Sequence, residues 1–527
     1  MNVDWERATT LEALERSGRV VARLRGRQIA LFHTSDGVFA CNNRCPHEGY
    51  PLSEGHVDRA CILTCQWHNW KFDLRNGENR LGGDDLRVYR VFVRDGEVWL
   101  DLSDPPFEVR YTRTLEHLRE AFDDEDYERM ARELARLQRL EADPVDAVSD
   151  AIARSHEHLE FGWTHAYAGT ADWLRLHDER SDDHEARLVS LLESVAHMSH
   201  DVLREPRFPY TAERVPYDED AFVRAIGDED ERRAVSMLRG AFQAGLGFDD
   251  IERGLTRAAL AHYSDFGHSL IYVAKAGSVI HRLGARVAEP LLVALARSLV
   301  YATREDEIPE FRGYAAALTQ WEARRGKSTP DPRAWRGLGI DAALERTLQS
   351  AGAEPQRLYV ALLAVNAENM LHFDTRRQHD VHIPVSDNVG WLDFTHAITF
   401  ANAVRRQCSR FPELWPQGLL QMACFSGRNA RYAHHAIDRE PWRVADIDAF
   451  IEHSIEGLFD HGCGEPIVSV HRLKTVLAVR DELGTDLPED VAATLAAALN
   501  RFLHSPLKRK HARRTAHQAM QIVSRED

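Results

Sequence analysis

Two short stretches carry the residue types best suited to chemistry, Cys45-Pro46-His47 and Cys65-Gln66-Trp67-His68. Each offers one thiolate and one imidazole, and seventeen residues separate the two. Two Cys and two His suit either a four-coordinate zinc or a two-iron cluster in which thiolates hold one iron and imidazoles the other. Cys41, Cys45, Cys61 and Cys65 bunch near the N-terminus, while Cys408, Cys424 and Cys463 lie far away. That distribution reads as metal chemistry in a reducing compartment, not as a secreted disulfide framework.

The elements that must position these donors are short strands. From Val20 to Leu102, runs such as Gln28–Phe32 and Val38–Cys41 alternate with turns, and Asp36-Gly37 and Asp95-Gly96 are strong hairpin signals. Both donor pairs follow strands, Val38–Cys41 and Cys61–Thr64, so they sit on two facing loops. Residues 1–104 form a small antiparallel β domain, and Ser103-Asp104-Pro105-Pro106 closes it as a linker. After the second donor pair comes Asn69-Trp70-Lys71-Phe72-Asp73, then Asn76-Gly77. This combination resembles the Rieske domain of ferredoxins and aromatic-ring oxygenases. The resemblance implies a [2Fe-2S] cluster, with Cys45 and Cys65 on one iron and His47 and His68 on the other. Tyr50 and Trp67 stand where the respiratory-complex type carries a second Cys in each loop. The unbridged ferredoxin subtype is therefore implied, toward the low end of roughly −150 to +300 mV. Cys41 and Cys61 are expected to be buried free thiols.

A Rieske centre moves single electrons, so bond chemistry must be done elsewhere. The D-x-x-H-x-x-x-x-H signature of ring-hydroxylating subunits is absent from this sequence. Beyond residues 105–142, a linker and connecting helix, the sequence reads as an all-helical domain over 143–527, with two lobes expected at that length. Predicted helices include one from Asp143-Pro144 to about Ala168 and another over 249–284. The fold class is thus a small antiparallel β domain followed by a large all-α domain. Most of the 27 histidines lie in the helical part. His158 and His165 are seven apart, and His262, Asp265 and His268 step by three. Glu368 and His372, and Asp393 and His396, are further helical pairs, as are His471 and Lys474. Histidines and carboxylates converging inside a bundle are one way to build an iron site.

Phe266-Gly267-His268-Ser269-Leu270-Ile271-Tyr272 resembles a stretch of questin oxidase-like proteins. Trp391–Thr399 around His396, and His471-Arg472-Leu473-Lys474-Thr475, are similar to two further segments of that all-helical family. The family includes enzymes that oxidatively open polycyclic quinone rings. The resemblance implies a non-haem iron held by His268, His396 and His471, and His158 is added from its helix position. Lys474 ligates only after deprotonation by burial or conversion to a carbamate, and a salt bridge to a carboxylate is its plainer role.

The expected function is an oxidoreductase: the cluster passes electrons to the helical iron for O2-dependent oxidation of an aromatic or polycyclic substrate. No glycine-rich nucleotide motif is present, so NAD(P)H must act through a separate reductase. A redox-sensing or docking scaffold without a second metal is one alternative. A His-Asp-type hydrolase or oxygenase is another, from the doublets at His177-Asp178 and His379-Asp380 and the His197–Asp201 stretch. A net charge of −17 argues against nucleic-acid binding. No apolar run approaches a membrane span and no signal-peptide layout opens the chain, so a cytoplasmic protein is expected. Lysine is scarce: Lys71, Lys275, Lys327, Lys474, Lys508 and Lys510, of which Lys275 and Lys474 fall in apolar helical patterns.

Overall fold

The computed structural model describes residues 4–323, 326–506 and 511–525, so Lys508 and Lys510 lie outside the described residues. The chain divides after Pro144 into two compact units.

Among the described residues the first unit holds eleven short strands. β1 (Trp5–Thr10), β11 (Glu97–Asp101) and β10 (Val91–Arg94) make one antiparallel sheet in that order. β2 (Arg19–Leu24), β3 (Arg27–Thr34), β4 (Gly37–Asn42) and β9 (Val88–Tyr89) make a second. β5 (His56–Val57), β6 (Ile62–Thr64), β7 (Lys71–Asp73) and β8 (Asn79–Leu81) make the third, which carries the cluster loops. The turns Arg25-Gly26 and Asp95-Gly96 both place two successive residues at positive φ (48° and 74°, 53° and 78°), the mirror-image turn that matches strand twist. β3 is buried from Ile29 to Phe32 because its alternating side chains serve two cores. Ile29 and Leu31 pack with Leu14, Val98 and Leu100, whereas Ala30 and Phe32 pack with Cys45, Cys65, Leu63 and Phe72. The cluster loops thus rest on one of two apolar cores.

The segment expected as a linker and one connecting helix is instead a two-helix hairpin, Phe107–Asp123 and Tyr127–Arg139, belonging to the first unit. Asp84, wholly buried, takes Arg132 and Arg136 from the hairpin, and Asp85 takes Arg113 and His117. Burial pushes both carboxyls up, but Arg132 and Arg136 at Asp84, and His117 and then Arg113 at Asp85, outweigh it and hold both below the ordinary range.

The second unit is helical, and two of its helices differ from expectation. The run from Asp143-Pro144 ends at Ser155; a 3-10 turn covers His156–His158, and a new helix, His165–Glu179, starts behind Thr164, whose hydroxyl caps it. The run over 249–284 breaks into Phe248–Ala259 and His268–Leu283. Between them Asp265, Phe266 and Gly267 lie at φ 52°, 50° and 79°, outside any right-handed helix. The Glu305 carboxylate accepts from the Phe266 N–H at 2.7 Å and so satisfies the broken backbone. Four helices, His165–Glu179, His268–Leu283, Trp391–Arg410 and Pro466–Leu483, pack in a ring, each against the next. Among the described residues no helix is long and apolar enough to cross a membrane.

Candidate metal centres

The two loops of the first unit are built alike. The Cys45 N–H donates to the Tyr50 carbonyl and the Gly49 N–H to the Cys45 carbonyl, both at 2.8 Å. In the second loop the Cys65 N–H donates to the Trp70 carbonyl at 2.8 Å and the Asn69 N–H to the Cys65 carbonyl at 3.0 Å. Gly49 and Asn69 occupy matching places, both at positive φ (76° and 63°). The result faces Cys45 with Cys65 and brings Nδ1 of His47 within 3.0 Å of Nδ1 of His68. Trp70 stacks on His47 (4.6 Å between centroids, 15° between planes) and Tyr50 on Trp67. Burial, with Cys65 alongside, pushes the Cys45 thiol up to about 11. Two facing sulfurs and two facing imidazole nitrogens are the donor types a [2Fe-2S] centre takes, thiolates on one iron and imidazoles on the other, so the set fits such a centre. Cys41 is buried in the adjoining core, and Cys61 lies beside Asp36 and Thr34.

In the helical unit the ring of four helices supplies one histidine each: His165, His268, His396 and His471. Nε2 of His268 lies 3.1 Å from Nε2 of His165, and Nε2 of His471 lies 3.0 Å from Nε2 of His396. Ring centroids are 4.4 Å apart for His268 and His396 and 4.7 Å apart for His165 and His471. Two of these rings are oriented from behind. Nδ1–H of His268 donates to the Asp265 carbonyl, and Nδ1–H of His471 to the Ile467 carbonyl at 2.6 Å. That tautomer leaves each Nε2 lone pair pointing at the common centre. Burial first, and then the neighbouring cation or imidazoles, holds His165, His396 and His471 well below the usual histidine range, so they are neutral donors.

Lys474 is 1% exposed, and its Nζ has no hydrogen-bond partner among the described residues. Burial and then Lys275 lower its pKa to about 7, with Asp172 opposing. The salt bridge open to Lys474 goes to Lys275, which pairs with Asp172. Asp172 and Lys275 each follow a cluster histidine by seven residues, about 10 Å along their helices, so this pair forms the layer beneath the imidazoles.

His158 lies outside this group. Its Nδ1 bonds the Glu205 carbonyl at 2.8 Å, because the helix expected to carry it ends at Ser155 and the chain turns before His165. His165 takes the place assigned to it. The signal for that helix start was Thr164 following Gly162, a capping residue behind a left-handed glycine (φ 81°). His262 also lies apart, paired with Asp306, and Asp393 caps its own helix and pairs with Arg428. The His-Asp doublets do not converge: His177 and Asp178 are engaged by Arg187 and Arg282, and His197 faces Asp201 at 3.7 Å.

Strand order, the two matched loops and their donor set together define an iron–sulfur electron carrier. The Rieske [2Fe-2S] domain family matches residues 4–87. The 3-phenylpropionate/cinnamic acid dioxygenase ferredoxin subunit of Photorhabdus laumondii is 35% identical over 78 residues, 14% of this chain and 74% of that protein. Through its first unit, the chain belongs to the Rieske [2Fe-2S] family. The 4beta-methylsterol monooxygenase of Methylococcus capsulatus is 39% identical over 101 residues, 16% of this chain. The chain spans about a quarter (27%) of that relative's length. Among solved structures, the ferredoxin of carbazole 1,9a-dioxygenase from Nocardioides aromaticivorans is similar over 19% of this chain and 98% of its own, at 24% identity and a TM-score of 0.18. The first unit is an electron-transfer domain of the Rieske type.

Proposed function

We propose that the protein is a Rieske-fused, non-haem iron oxygenase in which the [2Fe-2S] centre supplies electrons to an iron held by His165, His268, His396 and His471. The observation that carries this reading is the convergence of four buried imidazoles whose Nε2 atoms approach pairwise to 3.0–3.1 Å, in a chain that also holds an electron donor. An imidazole-rich site of this kind suits iron, and the bound iron would supply O2 activation. The chain's own residues set the surroundings. The Asp265 and Ile467 carbonyls fix two imidazole tautomers, and Lys474 stands by as a further donor, as free amine or carbamate. Tyr272 leans on His165 and His268 (centroids 6.1 and 5.4 Å), and burial keeps its phenol protonated. Buried apolar faces of the four helices exclude water and favour an aromatic or polycyclic substrate, in keeping with the questin oxidase-like resemblance of the His268, His396 and His471 segments. Electrons come from NAD(P)H through a separate reductase, in the cytoplasm.

Iron counting tests the proposal. The purified chain should carry about three irons, two in the cluster and one in the helical unit. His396→Ala and His165→Ala should each lose the third while the visible spectrum of the cluster is unchanged. Two irons in the wild-type chain, or full retention in both variants, would refute it. The first result would favour an electron-transfer scaffold instead.

A further inference from the structure

The helical unit holds a second convergence of donors that the four-histidine site does not use. Glu368 and His372 are four apart at the end of the helix Pro355–Leu371, with His372 as its cap residue. The backbone N–H and Nδ1–H of His372 both donate to the Glu368 carbonyl, at 3.0 and 2.9 Å. Nε2 is left as the ring's free lone pair. A third donor arrives from the chain beyond the helix Trp415–Ala430. There the His434 N–H donates to the His372 carbonyl at 2.7 Å and the Asp374 N–H to the Tyr432 carbonyl at 2.9 Å, and Phe373 and Ala433 form an antiparallel bridge. This two-stranded clip sets His435 beside His372, with ring centroids 5.2 Å apart. One ligand atom each from Glu368, His372 and His435 lies within 4.8 Å of the other two. Arg336 takes Oε1 of Glu368 at 2.5 Å, which orients the carboxylate and leaves its second oxygen available. Glu368 and His372 line a cavity of about 570 Å³, together with Ala364, Leu371 and Val491.

We infer that Glu368, His372 and His435 form a second metal centre, for a divalent first-row ion such as zinc or ferrous iron. Two imidazoles and one carboxylate are the donor set such ions take when three protein ligands leave a position open. Two of the three donors, Glu368 and His372, line the cavity, which gives an exchangeable oxygen ligand a way to the centre. A closed structural site would not leave that access. The Nδ1–H to carbonyl bond of His372 and the Arg336 pair of Glu368 are the outer contacts that hold metal ligands in place.

Zn2+ binding by the full-length chain, with metal analysis after equilibrium dialysis, tests this site apart from the four-histidine group. His435 is exposed, so His435→Ala should fold, and Glu368→Gln keeps the shape while removing the charge. The wild type should bind one Zn2+ that His435→Ala loses, and Glu368→Gln should bind it at least about 10-fold more weakly. His396→Ala should keep that equivalent, whatever becomes of the metal at the four-histidine site. Equal Zn2+ stoichiometry and affinity in the wild type, His435→Ala and Glu368→Gln would overturn the assignment.

Discussion

Replacing Lys474 with Met tests the physical account of the helical site most directly. The ammonium is wholly buried and its Nζ has no hydrogen bond among the described residues. The folded pKa is about 7 where 10.5 is ordinary, so between these values the unfolded chain binds more protons than the folded one. Stability therefore rises with pH across that window, and the penalty is largest below pH 7. At about 1.4 kcal/mol per tenfold in proton affinity, the amine costs the metal-free fold about 4 kcal/mol at pH 7 and almost nothing at pH 10.5. Met has nearly the same length and no charge, so the variant should be more stable than wild type by about that amount at pH 7. The gap should close as pH approaches 10.5. The assay is urea unfolding of the chelator-treated chain, followed by far-UV circular dichroism at several pH values. Subtracting the two curves cancels the groups that do not feel Lys474, while the loss of its charge also lets His165, His396 and His471 rise toward the usual histidine range. A variant less stable than wild type at pH 7, or a gap independent of pH, would refute the reasoning. If Lys474 also serves the metal, the same variant should hold iron less tightly, so its stability gain should shrink once iron is restored.

Gly267 stands at φ 79° directly before His268, and a Cβ there would meet Phe400 Cδ2 at 2.6 Å. Gly267→Ala should cost about 2–4 kcal/mol from left-handed strain and overpacking, and should lower iron content by moving the His268 ring; denaturant midpoint and metal analysis check both. Glu482 is fully buried and receives Tyr359, Asn402 and Arg405, tying three helices together. Glu482→Leu should leave that guanidinium unpaired and destabilise the helical unit by about 3 kcal/mol, read as a lower urea midpoint with the cluster spectrum unchanged.

The β unit was legible because its chemistry and its local pattern agree. The Asp36-Gly37 and Asp95-Gly96 turns stand in the sequence beside the strands they join, and the matched loops are adjacent in the chain to the strands that hold them. The helical site was legible only in part, since its donors come from four helices separated by up to three hundred residues. His268, His396 and His471 lie together, and each sits in a short motif that could be read locally. His165 was hidden because the helical spacing of His158 and His165 reads as one continuous helix, whereas the chain leaves the helix at Ser155 and passes through a half-exposed turn before Thr164. The same continuity concealed the break at Asp265-Phe266-Gly267, whose stabilising carboxylate, Glu305, is some forty residues away. The two buried lysines show the limit most clearly. Lys275 and Lys474 both interrupt apolar helices, and nothing nearby in sequence says which of them owns Asp172. Packing decides it. The carboxylate on the neighbouring helix reaches Lys275, so Lys474 remains, among the described residues, an unpaired amine beside His165, His396 and His471, and the residue that pattern alone would treat as a salt-bridge partner becomes the most informative one to mutate.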